Sequence, residues 1–294
     1  MLVIAQRKAY VYALLTIVCW ATVASAFKLS LQYLGYMHLL FYSSLTACAV
    51  LSLVLMLENK LSLLLTYSRK EYLRSAFLGF LNPYLYYMIL FNAYLLLPAQ
   101  VAQPINQLWA IVLSLLSVGL LKQQFKISNF IALLISLGGV LVISTQGNLL
   151  DLNFTDPIGV MLALSTTVIW ALFWIYNLTD ERDETAKLFL NFSFGSLYTL
   201  LSLLFTSTLV PINLQGLVGA VYVGFFEMGL PFLFWLRALQ YSSTTVQVSM
   251  LVHLVPFLSL LVIHFTIGES ILPSTLFGLL LIISGILFQQ RMKI

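Results

Sequence analysis

"GFFEMGLPFLFWLRALQ", residues Gly224–Gln240, is apolar almost throughout, yet it carries Glu227 near its middle and Arg237 near its end. Read as a helix, it spans a bilayer with a carboxyl group about halfway across. A charge at that depth costs roughly 3 kcal/mol on insertion scales, so an intramembrane acid is by default a functional-site candidate. Arg237 is too distant to be its partner: ten residues of helix separate the two by roughly 15 Å. It reads instead as an anchor at the membrane surface.

The rest of the chain agrees with a membrane setting. Hydrophobic residues make up 61% of its 294 residues and charged residues 8%, against about 25% charged in soluble domains. So few charges could not cover the apolar surface in water. Spanning helices need roughly 20 mostly apolar residues. Ten such segments are expected: 9–30, 36–57, 72–94, 98–120, 127–145, 156–178, 186–208, 214–238, 244–267 and 272–290. The loops between them are short and polar, leaving no soluble domain. Arg7-Lys8 followed by an apolar stretch and Ala24-Ser25-Ala26 imitates a signal peptide. Trp20 interrupts the small-residue region, however, and the stretch is read as the first spanning segment.

Placing the N-terminus in the cytoplasm puts Arg7, Lys8, Lys60, Arg69, Lys70, Arg74, Lys122, Lys126, Arg182, Lys187, Arg237, Arg291 and Lys293 on the cytoplasmic side, 13 of the 14 basic residues. Only Lys28 falls outside. This asymmetry predicts an N-in, C-in topology.

The halves resemble each other. Shifted by about 147 positions, Gln100 falls on Gln247, Asn106 on His253, Leu133-Leu134-Ile135 on Leu280-Leu281-Ile282, and Gly138 on Gly285. A nearby shift sets Gly79-Phe80 on Gly224-Phe225 and Asn82 opposite Glu227, and Trp20 corresponds to Trp170. Two five-helix repeats, 1–147 and 148–294, are therefore expected. An odd number of crossings inverts the second, and inverted repeats place a substrate site near the midplane between them.

Candidate pathway residues follow. Glu227 is placed to meet a substrate or a coupling proton, with a buried structural carboxyl as the alternative. Gln100, Gln103 and Gln107 share one face of the fourth segment beside Asn106, either as a polar pathway face or as interhelical glue. Gln247 and His253 offer the matching surface on the ninth. Trp109 and Trp170 are candidates to line a cavity, and Lys28 either contacts substrate or snorkels to the surface. Pro83, Pro104, Pro231 and Pro256 each remove an N–H donor and predict helix breaks. Cys19 and Cys48 read as small core residues. No metal-ligating cluster, phosphate-binding loop or nucleophile motif is present, so neither an enzyme nor a cofactor is expected. No basic, aromatic nucleic-acid surface is present either. The acids Asp180, Glu181, Asp183 and Glu184 read as a solvated loop.

With these residues in place, the chain resembles the EamA type of the drug/metabolite transporter superfamily. The second half carries the likeness, from Gly224 through Pro256 and Glu269 to Gly278 and Gly285. The first half repeats it with Trp109 where the second has Pro256, and Lys122 where the second has Glu269. The resemblance implies a ten-helix inner-membrane carrier, often an exporter of amino acids or other small metabolites. Sugar-nucleotide or drug carriage, and less closely a lipid-modifying membrane enzyme, are the alternatives. A polyanionic substrate would need buried basic residues, of which only Lys28 and Arg237 are candidates.

Overall fold

The computed structural model describes residues 5–120, 127–148, 156–206, 213–242 and 251–291, and these contain no strand. Helix α1 spans Gln6–Leu31 and α2 spans Tyr36–Leu57. Helix α3 is built from Arg69–Gly79, a wide π-helical turn Phe80–Leu85, and Tyr86–Leu96. Helix α4 is broken into Ala99–Asn106 and Trp109–Leu120, and α5 is Ile127–Ser144. Helices α6 (Pro157–Leu178) and α7 (Glu184–Thr206) follow. Helix α8 comprises Leu214–Val223, a second π-helical turn Gly224–Gly229, and Leu230–Tyr241. Last come α9, Val255–Ile267, and α10, Pro273–Arg291. Five helices among the described residues are long and apolar enough to cross a membrane: α1, α2, α6, α7 and α8. Phe130–Ser144, Val255–Ile267 and Pro273–Phe288 are shorter apolar helices. Residues 244–250 of the expected ninth segment, with Gln247, lie outside the described residues.

The helix starts are encoded locally. Ser68 caps α3 in a capping box with Glu71, whose Oε2 accepts the Ser68 N–H at 2.7 Å, the pattern that satisfies two end donors at once. Asp156 accepts the Gly159 N–H at 2.8 Å ahead of Pro157, and Asn213 accepts from Gln215 and Gly216. The outer surface is greasy, with Leu57, Phe205 and Phe265 all exposed.

The packing respects an exchange of each helix with the one five places on. Helix α1 packs on α8 as α3 packs on α6, and α1 packs on α9 as α4 packs on α6. Helices α2 and α7 pair with each other, as do α5 and α10. Both pairs run antiparallel: Gly139 meets Gly278 while Ala132 and Ser136 meet Gly285, and Lys60 beyond the end of α2 reaches Asp183 before the start of α7. Glycine permits the closest approaches. A Cβ added at Gly195 of α7 would lie 3.0 Å from the Gly79 carbonyl of α3 and collide with the Pro83 ring.

The bundle end that carries the N-terminus is tied by charge. Glu58 bridges Arg237 and Lys60, and Lys60 reaches Asp183 at 2.8 Å. Arg182 pairs with Asp180 at 2.6 Å and donates to the Glu71 carbonyl and to Ser75 Oγ. Lys187 Nζ donates to the carbonyls of Asp180 and Asn177 at the end of α6, where a cation suits the helix terminus. The expectation of a solvated acidic loop is corrected at Asp180, while Glu181 is exposed and Asp183 and Glu184 are partly so. Asp180 is only 5% exposed, because it lies between Arg182 and Arg74. Burial pushes its carboxyl up, but the hydrogen bonds and charge of Arg182, with Arg74 behind, hold it below its ordinary value.

Two outcomes test this packing. Gly195→Val should lower the thermal midpoint in detergent by an amount equivalent to about 1–3 kcal/mol of overpacking. Gly138→Ala, whose added Cβ meets nothing within 4 Å, should leave the midpoint unchanged or slightly raised. A carboxyl depressed in the folded state stabilises above its unfolded value, about 3.9, and that stability is lost as pH falls through the folded value. Asp180→Asn should therefore lower the midpoint at pH 7 and flatten its fall below pH 4. An unchanged acid profile would remove Asp180 from the account.

Candidate functional site

Pro83 and Pro231 place the two π-helical turns. Neither proline can donate to the carbonyl four residues back, and the backbone widens: Tyr86 N–H bonds to the Leu81 carbonyl and Leu230 N–H to the Phe225 carbonyl, each five residues back. Single π-turns inside α-helices are frequent at functional sites. Asn82 leaves helical geometry altogether, at φ −150° and ψ 121°. The repeat partners Asn82 and Glu227 thus sit in matching breaks. Helices α4 and α9 also match. The first is interrupted at Gln107-Leu108, three residues after Pro104, and the second begins after Leu254 with Pro256 in its first turn, where a missing N–H costs nothing.

A cavity enclosing about 580 Å³ of non-atom space, part of it open to the surroundings, lies between these elements. Trp20, Val23 and Phe27 of α1 line it, with Tyr86 and Leu90 of α3. Gln103, Asn106 and Trp109 come from α4, with Gln107 from its break; α6 contributes Trp170 and Trp174, and α8 contributes Glu227 and Trp235. The chain has five tryptophans, and all five are in this wall. Among the described residues that line it, Glu227 is the only aspartate, glutamate, lysine or arginine.

Glu227 is 7% exposed. Its Oε1 accepts from the Tyr87 hydroxyl of α3 at 2.9 Å, a buried hydrogen bond from one half of the chain to the other. Among the described residues its Oε2 has no partner, nor does the buried Nε1 of Trp20 on the same wall. Leaving a buried polar group unpaired costs about 1–3 kcal/mol, more for a charged one. The amides around them are held: Tyr94 donates to Gln103 Oε1 at 2.7 Å, Tyr86 donates to Asn106 Oδ1 at 3.3 Å, and Asn106 Nδ2 donates to Thr166 Oγ1 at 2.9 Å. Aromatic contacts brace the wall, with Tyr86 and Trp170 centroids 4.6 Å apart and Trp174 stacked on Phe232 at 5.8 Å.

Of the residues expected to form a pathway, Glu227, Gln103, Asn106, Gln107, Trp109 and Trp170 are brought together here. Others stand elsewhere. Asn82 is fully buried at the α3 break without lining the cavity, and its amide has no partner. It is Tyr87, five residues on, that reaches Glu227. His253 is buried beside the lining residues Val252 and Val255. Lys28 lies in the last turn of α1 and does not line the cavity. Gln100 belongs to a clasp at the opposite end from the ion pairs: its Oε1 accepts from Leu272 N–H and Thr275 Oγ1, and its Nε2 donates to the Ser270 carbonyl. Glu269 completes the clasp by accepting the N–H groups of Ala99 and Gln100 at 2.9 and 3.0 Å. A carboxylate on a helix N-terminus satisfies donors that the helix itself cannot.

These features describe a multi-pass membrane protein with an internal polar and aromatic site. Residues 7–145 and 157–289 each match the EamA-like transporter family. The two matches cover most of the chain, which belongs to this family of transporters. A crystal structure of a protein 18% identical to it superimposes with a TM-score of 0.68, over 99% of this chain and 100% of that one. At that identity the likeness is one of fold. No curated protein matches the chain in sequence.

Glu269→Ala strips two N–H groups of α4 of their acceptor and should destabilise by about 2 kcal/mol. The loss should appear as a lower thermal midpoint and faster amide exchange at residues 99–102. Exchange at wild-type rates would show that the clasp holds nothing.

Proposed function

We propose that the chain is a secondary carrier that moves a small organic metabolite by alternating access around the Glu227 cavity. Ten crossings with both termini in the cytoplasm form two inverted repeats, residues 1–147 and 148–294, and the repeats rock against each other around the site. Three observations support this reading: the exchange of packing partners between halves, the antiparallel pairs α2–α7 and α5–α10, and the matching breaks in α3 and α8. The single observation that carries it is the position of Glu227. It is a carboxyl in an apolar bundle, held by a residue of the other repeat, with one oxygen left unpartnered in a cavity wall.

An intramembrane acid of this kind binds a substrate amine or a coupling proton. Export of an amine-bearing metabolite, driven by protons entering at Glu227, fits both the acid and the lack of basic residues among the described residues lining the cavity. That lack speaks against a polyanionic sugar nucleotide.

Purified protein in liposomes should take up amine-bearing solutes from a radiolabelled panel, saturably and faster across a pH gradient. Glu227→Gln should reduce uptake at least about tenfold, the equivalent of roughly 1.4 kcal/mol. Uptake and pH dependence unchanged in that variant would place the site elsewhere.

A further inference from the structure

The composition of the cavity wall constrains the ligand more tightly than the presence of an acid does. Tryptophan is scarce in this chain, yet Trp20, Trp109, Trp170, Trp174 and Trp235 converge from α1, α4, α6 and α8 on one cavity with Glu227. Packing alone explains buried rings, but it does not explain why every indole of the chain faces the same space. Indole is the aromatic ring that attracts a cation most strongly over its face, by about 0.5–1 kcal/mol exposed and about 2 or more when desolvated. Its electrostatics repel an anion approaching the same face. Glu227 Oε2 adds an acceptor for a cationic N–H or a countercharge for a quaternary nitrogen. Against this, the described lining residues include no lysine, arginine or histidine. A substrate carboxylate would sit near Glu227 without a cationic partner, and burying an unpaired charge costs several kcal/mol.

From this we infer that the cavity is an aromatic cage for an organic monocation, an alkyl- or arylammonium with no carboxylate of its own. The inference rests on the carrier reading above and narrows its substrate from amine-bearing metabolites in general to net cations. Trp20 Nε1, the second unpartnered polar atom in the wall, is a donor, so a neutral acceptor such as a hydroxyl or ether oxygen close to the ammonium completes the match.

The test is equilibrium binding to the purified full-length protein in detergent, followed by uptake into liposomes. It uses four water-soluble probes of similar size: benzyltrimethylammonium, 2-phenylethylamine, 2-phenylethanol and phenylalanine. The two cations should bind at least about tenfold more tightly than the neutral alcohol and the zwitterion. Trp174→Phe should weaken the cations by a few-fold and Trp174→Leu by more, with binding of the alcohol little changed. Comparable affinity for 2-phenylethanol, or tighter binding of phenylalanine, would overturn the cage. Cation binding without uptake would sink the carrier reading and leave the cage standing. Uptake of phenylalanine without cation binding would do the reverse.

Discussion

Hydrocarbon supplies no hydrogen bonds, so every polar group inside a membrane bundle must find its partner within the protein. Glu227 meets that constraint at greatest cost, and the surrounding structure is arranged around it. Its carboxyl needs a donor, and Tyr87 provides one from the other half of the chain. The long tyrosine side chain carries that donor across from α3 to α8. Its orientation is set one turn earlier by the π-helical turn at Asn82-Pro83, and Gly79 and Gly195 allow α7 to pack against that turn. Glycine, proline and carboxyl form one chain of dependence, in which a backbone irregularity places a side chain and the side chain satisfies a buried carboxyl oxygen.

The smaller polar groups follow the same rule with shorter reach. Ser30, Thr46, Ser193, Ser196 and Thr199 bond carbonyls four residues back in their own helices. Ser193 and Ser196 also meet the Cys48 thiol of α2 at 3.9 and 3.5 Å, while the other three carry little information about which helices meet. Ser43 and Thr22 behave differently. They reach the Ala220 carbonyl and the Tyr222 hydroxyl of α8, and they tie α2 and α1 to the helix that bears Glu227.

Much of this architecture could be read from residue order because the membrane leaves few choices. A run of apolar residues of the right length has to be a helix, and its ends follow from Asp156, Asn213 and the loop charges. The proline breaks at Pro83 and Pro231 were legible because a missing N–H acts on its own helix. What could not be read was anything set by a neighbouring helix. Asn82 stands opposite Glu227 by register, yet at the Pro83 break it leaves helical geometry and does not line the cavity, and Tyr87 is the residue that bonds Glu227. Asp180 looked like part of a solvated acidic loop because its partner Arg74 is 106 positions away. Gln100 shares a helix face with Gln103 and Gln107, but the chain folds Glu269 and Leu272 over it and makes it a clasp residue. The one signal that could have found more of the cavity was the tryptophans. Trp20 and Trp170 stand out as repeat partners, and Trp109 and Trp170 were themselves candidates, but Trp174 and Trp235 pass for ordinary members of apolar helices.

The two ends of the bundle are closed by different chemistry, and the difference bears on how it could move. One end is held by charges that join loops and helix termini: Glu58, Lys60 and Arg237 with Asp183 and the Asp180–Arg182 pair. Partly exposed ion pairs gain little when formed and lose little when broken, so opening there is energetically cheap where Lys60 and Arg237 face water and harder where Asp180 is buried. The other end is held by Glu269 and Gln100, which satisfy backbone N–H groups that have no other acceptor. Breaking that clasp exposes the first turn of α4, so water or a new acceptor must replace it at the moment of opening. Helix α4 also carries Gln103, Asn106 and Trp109 into the cavity wall. Gln103 and Asn106 lie on the same unbroken segment, Ala99–Asn106, as the clasped N–H groups, whereas Trp109 stands beyond the break at Gln107-Leu108.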